Sequence, residues 1–213
     1  MLTIRNETQA DRRIVEDITR RAFYNIYAPG CVEHYLVHTM RDHPDFIPEL
    51  DLVAELDGQI IGNVMYTRAS LTDEAGAVKE ILTFGPVSIV PEHQRKGWGR
   101  RLLEHSLRRA AELGWEAVVI FDSPVNYVGL GFQSCKRFNV RLEDGWFPSA
   151  MLVKELREGA LDGRGWVYQG SPVMSIDEEE ARRYDGTLEP MAREYRPSQE
   201  EFYIMSHSTV GEA

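Results

Sequence analysis

The sequence predicts an α/β domain with a mixed, mostly antiparallel sheet of about seven strands that opens near its centre and is flanked by helices. Three strand patterns joined by tight turns, between residues 52 and 90, indicate an antiparallel meander. The stretch VSIVPEHQRKGWGRR, from Val87 to Arg101, is typical of a strand that leads through a glycine-containing loop into a helix. The apolar run from Ala117 to Phe121 then predicts a buried parallel strand, so strand, helix and strand form a right-handed crossover.

The N-terminal part of the chain predicts one short strand and two helices. Leu2 and Ile4 alternate with polar neighbours, as in a half-buried strand. Thr8 and Asp11 form a capping-box-like pair before the first helical pattern. A second helical pattern covers residues 31–41.

The meander contains a hairpin and an interrupted strand. Asp57-Gly58 separates two strand patterns and predicts a type I′ turn. The third strand pattern, residues 80–90, is interrupted by Gly85-Pro86. Because proline cannot donate a ladder hydrogen bond, the strand is expected to bulge or leave its neighbour there.

The end of this strand and the following loop suit an extended anionic ligand. Backbone groups at Val87 and Ile89, left unpaired by the bulge, could pair with the amides of such a ligand. Gly97 and Gly99 let backbone N–H groups approach an anion closely at the positive end of the next helix. The spacing matches neither the P-loop nor the three-glycine dinucleotide fingerprint. Mobile positive charge surrounds the same point, from Arg95, Lys96, Arg100 and Arg101.

The second half of the chain supplies the remaining elements. A helix is expected from about Trp98 to Leu113, with its leucines on one face. After the buried strand, another strand is expected to run to about Val140, and residues 150–156 are expected to close the sheet. A short strand at Trp166 and a helix from Glu178 are expected beyond them.

Composition narrows the functional classes. The 213 residues carry a formal net charge of −10, which disfavours a general nucleic-acid binder. The two cysteines, Cys31 and Cys135, have neither metal-binding nor redox spacing. The start of the chain lacks an apolar run of signal-peptide length, and no stretch approaches the length needed to cross a bilayer. We therefore expect a cytoplasmic protein without a membrane partner, either a monomer or a homodimer.

Two motifs resemble those of the GNAT superfamily of N-acetyltransferases. Gln94, Gly97 and Gly99 match its Q/R-x-x-G-x-G/A motif, and Tyr127 stands four residues before Gly131-Phe132, as in its Y-x-x-x-G-F signature. The order of predicted elements is also that of the GNAT fold. The resemblance covers residues 1–156. Within the superfamily, the sequence is similar to a bacterial subset of predicted acetyltransferases. Residues 157–213 are then expected to form a C-terminal extension packed on or near the same domain.

The resemblance implies acetyl-CoA as the acetyl donor, and it implies no metal. The acceptor would be a primary amine of a small molecule or peptide, attacking directly in a ternary complex. Val87 and Ile89 would offer backbone groups to pantetheine, and Asn126 would contact the pantetheine arm. The pyrophosphate would be wrapped by the loop residues Gln94, Arg95, Lys96, Gly97, Trp98, Gly99 and Arg100.

The resemblance also implies two catalytic roles. Tyr127 would protonate the departing thiolate, because a phenol with a pKa near 10 stays protonated where a thiol with a pKa near 8.5 ionises. Glu80 would take the proton from the amine, with Asp122, His93 and water as competitors. The alternative function is a non-catalytic acyl-CoA-binding sensor or interaction module, for which the loop alone would suffice. The segment after Gly159 is expected to border the acceptor cleft or reach a second subunit.

Overall fold

The computed structural model describes residues 1–211; residues 212 and 213, the end of the predicted extension, lie outside the described residues. The strands are β1 (Leu2–Asn6), β2 (Leu52–Leu56), β3 (Gln59–Asp73), β4 (Val78–Ile89), β5 (Ala117–Phe121), β6 (Gln133–Ser134), β7 (Val140–Arg141), β8 (Met151–Glu155) and β9 (Trp166–Gln169). The helices are α1 (Arg12–Phe23), α2 (Glu33–Met40), α3 (Trp98–Glu112), α4 (Pro124–Tyr127), α5 (Glu178–Asp185) and α6 (Pro197–Ser206).

The nine strands of residues 1–211 belong to one mixed sheet, in the order β1-β2-β3-β4-β5-β8-β6, with β9 pairing with both β3 and β7. The meander β2-β3-β4 is antiparallel, and β4 runs parallel to β5 through the crossover helix α3. The predicted fold class is therefore confirmed. Asp57 and Gly58 both have positive φ, at 49° and 83°, as the predicted type I′ turn requires.

Side chains from successive positions of the central strands enter separate cores on the two sheet faces. Leu82 of β4 and Ile120 of β5 pack in one cluster with the α3 leucines, whereas Ile81 and Val119 pack in another with Trp166. This alternation is what a strand period of two demands. The central strands are covered on both faces, which explains their continuous apolar sequence.

Strand β4 carries the predicted bulge. Val64 lies opposite Val87, but Tyr66 lies opposite Phe84, so two steps along β3 match three steps along β4. The extra residue falls within the segment that contains Gly85-Pro86. The bulge turns the end of β4 away from the line that it follows up to Phe84.

The sheet is open between β4 and β5. The ladder between these parallel strands has one register pair, Leu82 with Val118. By contrast, all five residues of β5 pair with β8 on its other side. The last residues of β4, from Thr83 to Ile89, therefore diverge from β5 and leave a gap.

Two details of the predicted sheet are wrong. The strand expected to end near Val140 is divided into β6 and β7 by a 3₁₀ turn, Cys135–Phe138, because Ser134 accepts a hydrogen bond from the Lys136 N–H and Asn139 takes a left-handed conformation. Strand β8 does not close the sheet but lies between β5 and β6. Hydrophobic periodicity carries no information on strand order, so the sequence could not supply it.

The chain beyond β8 packs on the domain at two places. Strand β9 continues the sheet by pairing with β3, from Trp166 opposite Asp73 to Gln169 opposite Ser70. Helix α5 is held to α1 by a buried ion pair between Arg20 and Asp185. Within residues 1–211, no helix combines the length and the apolar character that a membrane crossing demands.

Candidate active site

The gap between β4 and β5 opens into a cavity of about 430 Å³. Its floor is formed by the diverging strands, with Thr83 and Val87 on one side and Asp122 on the other. Parallel strands of α/β proteins commonly bind ligands beyond their carboxyl ends, and this cavity lies at the carboxyl ends of β4 and β5.

Backbone groups of β4 face the gap at every second residue. The Val90 N–H donates to the Ile61 carbonyl of β3 at 2.8 Å. Because hydrogen-bonded and non-hydrogen-bonded pairs alternate along antiparallel strands, Ser88 also points to β3, whereas Val87 and Ile89 point away from it. The Ile89 carbonyl accepts a hydrogen bond from Gln94 Nε2 at 2.9 Å. Gln94 thus fixes the loop to the strand, and the backbone groups of Val87 remain directed at the gap.

The loop between β4 and α3 has the conformation of an anion site. Arg95 and Gly97 both have positive φ, at 58° and 83°. The backbone hydrogen bond from the Arg101 N–H to the Gly97 carbonyl is the first of α3, so the N–H groups just before it have no partner inside the helix. A Cβ added to Gly97 would meet no described atom within 4 Å. The open concavity at the positive helix end therefore admits a phosphate group.

The side chains of this loop are mostly at the surface. Lys96 Nζ donates to the Glu92 carbonyl at 2.8 Å, and Arg100 Nε pairs with Glu104 at 2.7 Å. Trp98 is half-buried and stacks with the Arg101 guanidinium, 5.3 Å from its ring centroid. These cationic groups are held by weak exposed contacts that a polyanion can replace.

A hollow of about 380 Å³ continues from Arg100 along α3. Arg108 and Lys154 also line it, together with backbone at Gly129. Three cationic side chains thus border one concave surface next to the loop, and Glu104 and Glu155 line it as well. The hollow therefore offers cationic partners to a ligand without being uniformly positive.

Tyr127 lies at the gap with its ring in the core. It is 6% exposed, and its ring packs against Phe84 and edge-on against Phe132, at centroid distances of 5.9 and 5.8 Å. The hydroxyl donates to Asp122 Oδ2 at 3.3 Å. Burial, followed by the charge of Asp122, raises the pKa of Tyr127 well above its ordinary value. The phenol is therefore protonated at neutral pH.

Asp122, directly after β5, is an acidic group of the cavity. Burial raises its pKa, and the Ser123 N–H and the Tyr127 hydroxyl, which donate to the carboxylate, oppose that rise. The contact with Tyr127 puts Asp122 within one hydrogen bond of the phenol. A desolvated carboxylate of this kind is a stronger proton acceptor than an exposed one.

Glu33 is the second carboxylate that lines the cavity. It is the first residue of α2, and burial raises its pKa. Tyr27, in the connection between α1 and α2, has its pKa raised by burial and then by the charges of Asp122 and Glu33. Neither Tyr27 nor Glu33 is predicted from the sequence as a site residue, because no local pattern links this connection to β5. The only sequence signal for the connection between α1 and α2 is its aromatic stretch, AFYNIYAPG.

Two predicted residues, Glu80 and Asn126, do not line the cavity. Glu80 is exposed, opposite Ser70 near the start of β4, and it does not line the cavity. Asn126 is exposed on the short helix α4, one residue before Tyr127. The structure thus brings Tyr127 together with Asp122 rather than with Glu80.

The C-terminal extension forms one wall of the cavity. Tyr168 of β9, the turn from Gly170 to Ser175 and Phe202 of α6 all contribute to its lining. The Phe202 ring packs on Tyr27 with centroids 4.4 Å apart. The segment after Gly159 therefore reaches the cavity of its own chain. Within residues 1–211, no three His, Cys, Asp or Glu side chains are grouped as metal ligands.

The family model of the acetyltransferase (GNAT) family matches residues 20–129. Among curated proteins, the chain is 29% identical over 163 residues to the uncharacterized N-acetyltransferase YhbS of Escherichia coli O157:H7, an alignment that covers 76% of this chain and 92% of YhbS. The uncharacterized N-acetyltransferase YjhQ of Escherichia coli K12 is 28% identical over 128 residues, which cover 60% of this chain and 67% of YjhQ.

Solved structures agree with this relationship. The crystal structure of YhbS from Escherichia coli in complex with CoA superposes with a TM-score of 0.71 and 26% identity, covering 82% of this chain and 92% of that one. A GNAT family acetyltransferase from Brucella melitensis in complex with acetyl-CoA shares the fold, with a TM-score of 0.65 and 20% identity over 82% of this chain and 99% of that one. The matched family model includes the bulged strand, the glycine loop and Tyr127, and the chain therefore belongs to the GNAT acetyltransferase family.

Proposed function

We propose that this protein transfers an acetyl group from acetyl-CoA to a primary amine by direct attack in a ternary complex. The observation that carries the proposal is the meeting of three features at one gap: the β4 backbone, the loop before α3 and the Tyr127 hydroxyl. The CoA complex of the Escherichia coli relative and the acetyl-CoA complex of the Brucella protein support CoA as the carrier.

Donor binding uses the loop and the strand together. The pyrophosphate is held by N–H groups at the start of α3, from Gly97 to Arg100, and by the surrounding cationic side chains. The amides of pantetheine pair with the backbone of Val87 and Ile89, where β5 provides no partner. In the hollow along α3, Arg108 and Lys154 offer cationic partners to the phosphorylated adenosine end. Asn126, exposed beside Tyr127, contacts the pantetheine arm.

The reaction requires proton transfer at the amine and at the sulfur. The acceptor arrives as an ammonium ion and loses one proton to a base, which makes its nitrogen nucleophilic. The nitrogen then bonds to the thioester carbon, the carbon–sulfur bond breaks, and the CoA sulfur takes a proton from Tyr127. The second amine proton restores the Tyr127 phenol, and the first is released from the base to solvent. The raised pKa of Tyr127 suits this role, because the phenol is fully protonated when the thiolate departs.

Asp122 is the carboxylate that we assign as the proton acceptor. Its oxygen lies 3.3 Å from the Tyr127 hydroxyl, so an amine near the thioester is also near Asp122. Glu80 is exposed and outside the cavity, which does not favour the base role expected from the family resemblance. The remaining catalysis comes from holding two substrates in a productive geometry.

The test combines binding and turnover. Calorimetry with CoA should give saturable binding, and thiol release from acetyl-CoA should depend on added amine. Asp122→Asn should lower kcat on the order of 100-fold, whereas the matched Glu80→Gln should stay within about threefold of the parent. Binding of CoA without amine-dependent thiol release from any acceptor would instead indicate an acyl-CoA-binding module. If kcat fell strongly in Glu80→Gln but not in Asp122→Asn, Glu80 rather than Asp122 would be the base.

A further inference from the structure

The acceptor side of the cavity is distinguished by its charge. The carboxylates of Glu33 and Asp122 line it, and none of its lining residues among residues 1–211 is a lysine, arginine or histidine. A carboxylate or phosphate beside the amine would therefore meet two carboxyl groups and no cationic partner. Such a juxtaposition is strongly unfavourable in a desolvated site.

The walls around these carboxylates are aromatic. They come from separate parts of the fold and include Phe23, Tyr27, Phe84, Tyr127, Tyr168 and Phe202. Aromatic faces attract ammonium ions and favour apolar surface over strongly hydrated groups. The cavity thus favours an acceptor that has one ammonium group and is otherwise apolar.

Glu33 is placed to hold the ammonium group. Glu33, Asp122 and Tyr27 line the same cavity, so the two carboxyl groups share one neighbourhood. The proposed reaction already uses Asp122 as the proton acceptor, which leaves Glu33 as the counterion. The Val32 N–H donates to Glu33 Oε2 at 3.0 Å and fixes the position of the carboxylate at the start of α2.

The cavity also restricts the size of the acceptor. The connection after α1, the turn from Gly170 to Ser175 and Phe202 enclose it on the sides away from the strands. A second cavity of about 300 Å³ shares Phe23, Tyr27, Glu33 and Phe202 with the first. Glu178, Arg182 and Arg193 also line this second cavity, so the body of an acceptor has room to extend past Tyr27 towards both acidic and cationic side chains. Cavities of this volume suit a small molecule better than a peptide chain.

We infer that the acceptor is a small primary monoamine with an aromatic or other apolar body and no acidic group beside the amine, whose ammonium is bound by Glu33 inside the aromatic cavity. This inference rests on the proposed acetyl transfer and narrows its acceptor class. The net charge of −10 adds a weaker, long-range attraction for cations.

The first experiment compares matched acceptors on the unmodified protein by thiol release. Phenethylamine and phenylalanine have the same aromatic body, but phenylalanine adds a carboxylate beside the amine. We expect kcat/KM for phenethylamine to exceed that for phenylalanine by on the order of 100-fold. It should likewise exceed the values for putrescine, a diamine, and for a short peptide with a free N-terminus. Preference for any of these three would overturn the inference while leaving acetyl transfer intact. Amine-independent behaviour throughout would instead overturn the proposed function.

The second experiment separates ammonium binding from catalysis. Calorimetric titration of phenethylamine into the CoA-saturated protein forms a complex that cannot react. Glu33→Gln should weaken this binding on the order of 10-fold and leave CoA affinity unchanged. Glu49→Gln, at an exposed position outside the cavity, is the matched control and should bind like the parent. Unchanged amine affinity in folded Glu33→Gln would overturn the role of Glu33, and the acceptor comparison still tests the inference if that variant does not fold.

Discussion

Arg20 Nε donates a 2.8 Å hydrogen bond to Asp185 Oδ1, and both side chains are only 7% exposed. The pair joins α1 of the matched family region to α5 of the C-terminal extension. Arg20 also donates to the Glu189 carbonyl at 2.8 Å, and Arg193 reaches the other Asp185 oxygen at 3.2 Å. The segment that walls the cavity is therefore fastened to the domain by desolvated charges.

Asp185→Asn should lower the free energy of unfolding by about 3 kcal/mol, because it leaves a buried guanidinium without its counterion. Urea denaturation at neutral pH would measure the loss. The control is Glu178→Gln, which breaks an exposed pair with Arg182 and should cost no more than about 0.5 kcal/mol. Equal losses in both variants would contradict a structural role for the buried pair.

The same cluster gives a predicted pH dependence. His34 is fully buried, with Nδ1 3.2 Å from Cys31 Sγ, and burial lowers its pKa to about 4 despite the nearby carboxylate of Asp185. Between that value and the ordinary pKa of 6.5, the unfolded chain binds a proton that the folded chain does not. Stability due to this group is therefore complete above pH 6.5 and falls as the pH decreases towards 4.

His34→Asn should accordingly be less sensitive to acid than the parent. We expect the parent to lose about 2 kcal/mol more than the variant between pH 8 and pH 5. Urea denaturation of both proteins at the two pH values measures this difference in stability loss. The contributions of other titrating groups are the same in both proteins and therefore cancel. His207→Asn, at an exposed position, should lose as much as the parent. Parallel pH profiles for His34→Asn and the parent would show that His34 is not the sensitive group.

Gly97→Ala tests the anion loop, with Gly58→Ala as its control. Both glycines have φ of 83°, and an added Cβ at either meets no described atom within 4 Å. Each alanine should therefore cost a similar amount of stability, about 1 kcal/mol, from the left-handed backbone alone. CoA affinity should fall only in Gly97→Ala, because there the methyl group enters the space that we propose for the phosphate. Titration calorimetry measures the CoA affinity of both variants. Equal affinities would show that the pyrophosphate does not bind at Gly97.

Tyr127→Phe tests the proposed proton donor. The ring contacts with Phe84 and Phe132 remain, so folding and CoA affinity should change little. Loss of the proton donor should lower kcat on the order of 10²–10⁴-fold with little change in KM for acetyl-CoA. Tyr203→Phe, which removes the hydroxyl of an exposed tyrosine, should match the parent. A Tyr127→Phe variant within about threefold of parental kcat would show that the phenol only packs.

The parts of the fold predicted from sequence are those with local causes. Asp57-Gly58 dictates a turn, and Pro86 cannot continue a ladder, so hairpin and bulge follow from single residue types. The order of the last strands depends on pairing between segments that are distant in sequence. The turn at Cys135–Phe138 has local causes, Ser134 and Asn139, but the apolar strand pattern around it gives the stronger signal.

The same distinction applies to the candidate site. The loop around Gly97 and the position of Tyr127 have motif signals within a few residues. Glu33 and Phe202 reach the cavity from elements far apart in sequence, α2 and α6, so no window of sequence joins them. Glu80 is expected from family resemblance alone, and it lies three residues before Thr83, where the part of β4 that lines the cavity begins. Membership of the right strand is therefore a poor guide to side-chain position.

The alternation along β4 gives the protein a built-in reporter of ligand occupancy. Amides of Ser88 and Val90 are engaged by β3, whereas those of Val87 and Ile89 face the gap, so hydrogen–deuterium exchange should be slow at the first two and fast at the second two. Saturation with CoA should slow exchange at Val87 and Ile89 and leave their neighbours unaltered. The amides of Ser88 and Val90 thus serve as an internal control for those of Val87 and Ile89 on the same strand. Equal exchange rates at all four residues would mean that the gap is closed in solution.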